Sequence, residues 1–292
     1  MEKRYYAKAR GVLNLTLGLN LFVVVLKLIV GFAVGSLAMI ADGFHSLLDS
    51  ASNIIGLIGL SVASKPADKT HPYGHRKFET LTTIVIAMFL FLTGFEILEN
   101  ALKRLHSGQA PLVTFAAFSV LAGTLLINLF VTYYERRKGV EYSSSILLAD
   151  SSHTASDVLV TISVLISFVV VKLGYPMADP LIAVAIALVI WFTGFKIIRD
   201  TASVLTDSAA IDTSDIAGAV QGIEGITGCH KIRTRSVGDD AFVDMHIMTK
   251  PYITVRQGHN LAKKVERVVK KKYPKVKDVT IHVDPTHKVR KP

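Results

Sequence analysis

The sequence predicts a membrane all-α domain of six transmembrane helices, followed by a C-terminal cytoplasmic α+β domain. Three observations carry this. Half of the residues are hydrophobic and the mean hydropathy is +0.43, well above the usual range of soluble chains. The apolar residues gather into six runs, each near the ~20 residues that cross a bilayer core as a helix. After Arg199 these runs stop, and short alternating stretches replace them. The expected division is 1–205 for the membrane domain and 206–292 for the soluble one.

The first ten residues, MEKRYYAKAR, are basic and lead into a long apolar stretch. A signal peptide has a short apolar core and a small-residue cleavage site, so this is read as a first span. The six spans are placed at Leu13–Val34, Ser36–Ala63, Phe78–Leu102, Leu112–Tyr134, Ser144–Leu173 and Met177–Ile198. Lys and Arg sort between their ends. Lys3, Arg4, Lys8 and Arg10 precede the first span. Lys65, Lys69, Arg76 and Lys77 follow the second, and Arg136, Arg137 and Lys138 follow the fourth. The opposite connections hold only Lys103, Arg104 and Lys172. The positive-inside rule then puts both termini in the cytoplasm of a cell (inner) membrane.

The soluble part reads as helix-strand-strand-helix-strand. Asp212-Thr213-Ser214 caps a helix running to Ile223. Residues 229–237 and 241–248 form a hairpin through Gly238-Asp239. Val255–Tyr273 is an amphipathic basic helix, and Val279–Val283 a third strand. That order gives a compact α+β domain, ferredoxin- or metallochaperone-like, with helices on one sheet face.

The net charge is +10, with the basic residues at span ends and in the last third. That distribution speaks for membrane orientation and a solvated domain, not for nucleic acid. The single cysteine, Cys229, leaves no internal disulfide and no cysteine zinc cluster.

One pattern occurs twice. Residues 41–49 and 149–157 both read A-D-x-x-H-x-x-x-D. On a helix, positions i and i+4 share a face, so His45 pairs with Asp49 and His153 with Asp157. The second span runs inward and the fifth outward, and each His lies about ten residues from a span end, near mid-membrane at ~1.5 Å per residue. Facing each other, the two pairs offer two imidazoles and two carboxylates, a tetrahedral shell suited to zinc or a similar divalent metal. Inverted pairs at the midplane are the usual site of an alternating-access transporter. Charged groups at that depth are costly and seldom idle. Asp42 and Asp150, one turn earlier, read equally as supporting or proton-relay groups and as packing residues.

Two further clusters lie outside the membrane. Asp68, His71 and His75 flank the turn at Pro72 and Gly74, where a solvated loop is the competing reading. His230, His246, His259, His282 and Asp284 are spread over the soluble strands and basic helix, and surface histidines are the competing reading. His282 and Asp284 share a sheet face by alternation. His106 and His287 read as incidental. No HExxH, serine elbow or phosphate-binding loop occurs, so the chain reads as no enzyme. About 85 soluble residues are too few for an ATP-driven pump.

These motifs together resemble the cation diffusion facilitators, of the bacterial YiiP-like metal-efflux type. The carriers are VGSLAMIADGFHSLLD at 34–49, HPYGHRKFE at 71–79, the 149–157 motif and IHVDP at 281–285. The resemblance covers almost the whole chain. It implies a transport site of His45, Asp49, His153 and Asp157, and a loop site of Asp68, His71 and His75. It implies a cytoplasmic site of His230, His246, His282 and Asp284, with His259 also matching. It further implies a homodimer in the lipid bilayer, and a charge pair from Lys77 and Asp207. The expected function is export of a divalent metal, foremost Zn2+, in exchange for protons. A passive channel, a membrane-anchored metal sensor, and the same fold selective for cadmium, iron, cobalt, nickel or manganese are the alternatives. YiiP-type proteins often carry Asp where this chain has His45, a departure that favours zinc over manganese.

Overall fold

The computed structural model describes residues 2–33, 40, 43–44, 46–47, 49–107, 115–173, 175, 178–238 and 240–286. The chain divides into two compact units, Met1–Thr201 and Ala202–Pro292.

The first unit is helical. Its elements are α1 (Glu2–Ala33), α2 (Ala51–Ala63), α3 (Lys77–Ser107), α4 (Phe115–Tyr142), α5 (Ser145–Lys172) and α6 (Ala178–Leu205). Ile40, Gly43, Phe44, Ser46, Leu47 and Asp49 are helical ahead of α2. Among the described residues, four helices are long and apolar enough to cross a membrane: Tyr5–Ala33, Lys77–Lys103, Phe118–Tyr142 and Pro180–Leu205. The two others expected are the motif-bearing ones. The second is described as a helix only from Ala51. The fifth, α5, is 28 residues long and carries its polar motif in its first half.

Several helices outrun the apolar runs. α1 begins at Glu2 and α4 continues to Tyr142, because their charged ends still satisfy the backbone ladder beyond the apolar stretch. α5 packs on α4, α3 and α2, and α1 packs on α4 and α2. Tyr6, Leu13, Leu60, Ile86, Ile146 and Leu147 form the apolar core of these contacts. Phe32, Leu92, Phe95, Leu126 and Phe192 point outward and are well exposed, as a lipid-facing belt requires. α6 meets α3 where the Trp191 indole N–H donates to the Phe91 carbonyl at 3.1 Å. Gly94 allows that approach, since a Cβ there would collide with the indole ring.

The second unit follows the expected order: α7 (Thr213–Gln221), β1 (Ile226–Val237), β2 (Asp240–Thr249), α8 (Val255–Lys272) and β3 (Val276–Pro285). Asp212 caps α7 by accepting from the Ser214 N–H, and Thr254 with Gln257 forms a capping box on α8. β1 and β2 pair antiparallel, with Gly238 at positive φ in their turn; Asp239 lies outside the described residues. β3 pairs parallel to β2, as the α8 crossover demands. β2 alternates cleanly. Val243, Met245 and Ile247 point into the core with Ile216, Val220, Val265 and Val269. His246 belongs to the opposite, half-buried set.

Candidate metal centres

Three of the four residues expected at mid-membrane meet on one cavity of ≈330 Å³: Asp49, His153 and Asp157. His45, and Asp42 with it, lie outside the described residues. His153 is 2% exposed, and among the described residues neither ring nitrogen has a hydrogen-bond partner. Its Nε2 stands 4.0 Å from Asp49 Oδ1. Donors on one tetrahedral zinc ion sit about 3.3 Å apart, given metal–donor bonds of ~2.0–2.1 Å. A small closure therefore brings the pair to ligand distance. A buried imidazole with two idle nitrogens beside a carboxylate is a donor set waiting for a cation.

The same cavity is lined by groups that sequence reasoning passed over: Asn20, Lys27, Ser46, Ser52, Glu96, Asn100, Thr124 and Asn128. Lys27 is nearly buried and donates to Ser46 Oγ at 2.8 Å. Asn20, Lys27 and Asn128 are single polar letters in apolar runs, and only intramembrane depth marks them out. Asp150 does not line the cavity. It is fully buried and accepts from Ser52 Oγ at 2.8 Å and from Asn53 Nδ2.

The loop residues converge. Asp68, His71 and His75 bring one donor atom each within 4.8 Å of one another. Asp68 Oδ1 accepts from the Thr70 and His71 backbone N–H groups and from the Thr70 hydroxyl. The Thr70 hydroxyl above all, then the His71 N–H, hold its carboxyl at about 2. His75 points Nδ1 at the Pro66 carbonyl, 3.1 Å away, and Nε2 at Asp68 Oδ2, 3.5 Å away. The carbonyl can only accept, so Nδ1 carries the hydrogen in the neutral ring and Nε2 faces the cluster as a lone pair.

In the second unit, His230, His246 and His282 stand in one register across β1, β2 and β3. Asp284 joins them. Its Oδ2 lies 2.9 Å from His246 Nδ1 and 3.3 Å from His230 Nε2, and its Oδ1 lies 2.9 Å from His282 Nε2. The His246 hydrogen bond, foremost, holds the Asp284 carboxyl below its ordinary range. His259 is exposed on α8 and is not one of the converging donors. Lys77 opens α3. Asp207 sits at positive φ, 3.9 Å from Arg235.

Residues 13–206 match the model of the cation efflux transmembrane domain, and residues 209–286 that of the cation efflux protein cytoplasmic domain. The chain belongs to the cation diffusion facilitator family. As a cation diffusion facilitator it is a multi-pass membrane transporter of divalent metal cations, and not an enzyme. Its C-terminal match is to the dimer-forming module of these transporters, which supports a homodimer. An uncharacterized transporter of Methanocaldococcus jannaschii is 30% identical, over 91% of this chain and 94% of that one. The manganese efflux system protein MneS of Bacillus subtilis is 28% identical, over 89% and 90%. The cation-efflux pump FieF of Serratia proteamaculans is 29% identical, over 98% and 95%.

Proposed function

We propose that this facilitator exports Zn2+ from the cytoplasm in exchange for protons, by alternating access about a site of His45, Asp49, His153 and Asp157. The observation that carries the reading is His153, buried with both nitrogens idle beside Asp49 and on one cavity with Asp157. Neutral imidazoles and ionised carboxylates bind the ion, so binding expels protons and protons release it. Mixed nitrogen and oxygen donors suit zinc. In this reading residues 1–205 carry transport and 206–292 sense cytoplasmic metal and pair the protomers, with both termini cytoplasmic. His230, His246, His282 and Asp284 hold the regulatory ion, and Asp68, His71 and His75 a further one.

A second reading, manganese, is favoured by one observation: Glu96, Asn100 and Asn128 add oxygen donors to the cavity. Flux of Zn2+ and Mn2+ into liposomes holding the purified protein, with and without a pH gradient, tests both. Zinc flux that rises with the gradient and vanishes in His153→Ala supports the first reading. Manganese flux exceeding zinc flux supports the second. Flux indifferent to the gradient removes proton exchange.

A further inference from the structure

Lys27 on α1 falls within the apolar span Tyr5–Ala33. A charge at that depth is costly, and a lysine normally escapes by extending its stem toward the headgroups. Lys27 does not. It is 5% exposed, and its Nζ donates inward to Ser46 Oγ at 2.8 Å. A close approach of backbones holds it there. A Cβ on Gly43 would stand 2.7 Å from Leu28 Cδ2 and 3.4 Å from the Leu28 backbone nitrogen. α1 therefore lies hard against the segment that carries Gly43, Ser46 and Asp49.

Lys27 and Ser46 both line the metal cavity, together with Asp49, Glu96, His153 and Asp157. An ammonium taken out of water needs opposite charge nearby, and these carboxyls supply it. Among the described lining residues, three carboxylates against one ammonium leave two negative charges while His153 is neutral. That is the charge of one divalent cation. Walls of low dielectric around ≈330 Å³ leave little water to screen these charges from one another. Without the ammonium, a third negative charge would stay open to the metal and hold it harder. Pinning α1 to Ser46 would need only a neutral donor, so the positive charge calls for a reason of its own.

We propose that Lys27 is the resident counter-cation of the metal cavity, a specificity-determining residue that weakens the hold on a divalent ion so that the ion can leave. This rests on the reading of Asp49, His153 and Asp157 as transport ligands, and adds what lets the cargo go. In the empty cavity the ammonium offsets part of the carboxylate repulsion. Once a metal ion is bound, the same ammonium repels it. A site that passes ions on must bind well enough to load and weakly enough to unload. Carboxylates enough to fill a divalent shell, with no opposing charge, would trap the ion.

The test measures binding and flux separately, with Zn2+ as the probe. Calorimetry uses full-length protein carrying His75→Ala and His246→Ala, which disable the loop and C-terminal clusters. In that background Lys27→Met is expected to tighten the zinc binding that His153→Ala removes by about tenfold or more, through loss of one like charge at close range. In the otherwise unaltered protein in liposomes, Lys27→Met should lower both the KM and the maximal rate of zinc flux. Lys27→Arg keeps the charge and should stay within about threefold of Lys27 in both measurements. Zinc binding that is weakened or unchanged in Lys27→Met means a merely structural lysine and overturns the proposal alone. Lys27→Arg binding as tightly as Lys27→Met overturns it too. A zinc isotherm that survives His153→Ala overturns the transport-site reading, and this proposal with it. Should Lys27→Met fail to yield a folded protein, Lys27→Gln carries the test on the same terms.

Discussion

Zinc should stabilise the unit Ala202–Pro292 strongly, and His246→Ala should remove most of that effect. His246 sits at the centre of the three-strand ladder and holds Asp284 at 2.9 Å, yet belongs to the β2 set that alternates with the buried core residues. Its truncation leaves no core cavity, so the metal-free unit should lose only the ~0.5–1.5 kcal/mol of a hydrogen bond. Metal binding is a larger effect. Free zinc at a hundred times its Kd adds ~2.7 kcal/mol to the native state. For a unit of this size, 1 kcal/mol moves Tm by roughly 4–8 °C, so zinc should raise it by about 10–20 °C. A ligand loss that weakens binding a hundredfold leaves ~0.4 kcal/mol at the same zinc concentration, or about 2–3 °C. Calorimetric melts of both proteins, with zinc and with chelator, measure this. An equal zinc shift in wild type and His246→Ala, or none in wild type, refutes the assignment. The shift should also fade on acidification. Protons then compete for the imidazoles, whereas Asp284, held below the ordinary carboxylate range chiefly by His246, stays ionised until much lower pH.

Asp49→Asn should cut reconstituted metal flux by at least ~10²-fold, since supporting contacts alone are worth 10–100-fold, while zinc binding by the C-terminal unit persists; calorimetry beside flux separates the two. The Asp68 carboxyl, at about 2 through Thr70 and the His71 N–H, should stay charged throughout the working pH range. A depressed carboxyl contributes above its unfolded value of ~3.9 and loses that contribution only as pH falls through about 2. Thr70→Val should therefore raise the Asp68 titration midpoint toward the ordinary value in carbon-detected NMR. Gly94→Ala should cost about 1–3 kcal/mol of bundle stability, because the new Cβ meets the Trp191 indole; the Trp fluorescence melt in detergent reads it.

What was legible in the sequence followed periodicity. The i, i+4 spacing put His153 and Asp157 on one helix face, and both line the cavity with Asp49. Alternation put His282 beside Asp284, and they are 2.9 Å apart. Asp212 announced its helix start. Register was not legible. His230 stands opposite His246 because the hairpin carries an irregularity between His230 and Arg233, with Lys231 at positive φ, and no local propensity predicts that. Glu135, fully buried on α4, was hidden for another reason. It directly precedes Arg136, Arg137 and Lys138 and lies just past the span end placed at Tyr134, so nothing in the local sequence marks it out. Only the continuation of α4 to Tyr142 and its packing on α1 and α5 bury it.

The polar contacts of the bundle are distributed unevenly, and that asymmetry bears on alternating access. Near the N-terminal end, Tyr5 donates to Glu79 at 2.9 Å and Ser144 donates to the same carboxyl at 2.8 Å. Thr83 donates to Ser145 at 2.8 Å close by. These bonds lace α1, α3 and the start of α5 together on the side where α1 begins. The cavity occupies the other half, lined by later residues of α1 and α3 such as Lys27, Glu96 and Asn100. A metal approaching from the laced side must first part Glu79 from Tyr5 and Ser144. At ~0.5–1.5 kcal/mol for each of two hydrogen bonds, Glu79→Ala should favour the opened form by ~1–3 kcal/mol, a 5–150-fold shift in population. A single cysteine at Ser52, in a Cys229→Ser background, reports the change through an impermeant maleimide applied from each face of sealed vesicles. Glu79→Ala should speed labelling from the N-terminal face by at least fivefold and slow it from the other. Equal labelling rates with and without Glu79 would mean that some other contact holds the bundle shut, and that the Glu79 carboxyl is packing and not a latch.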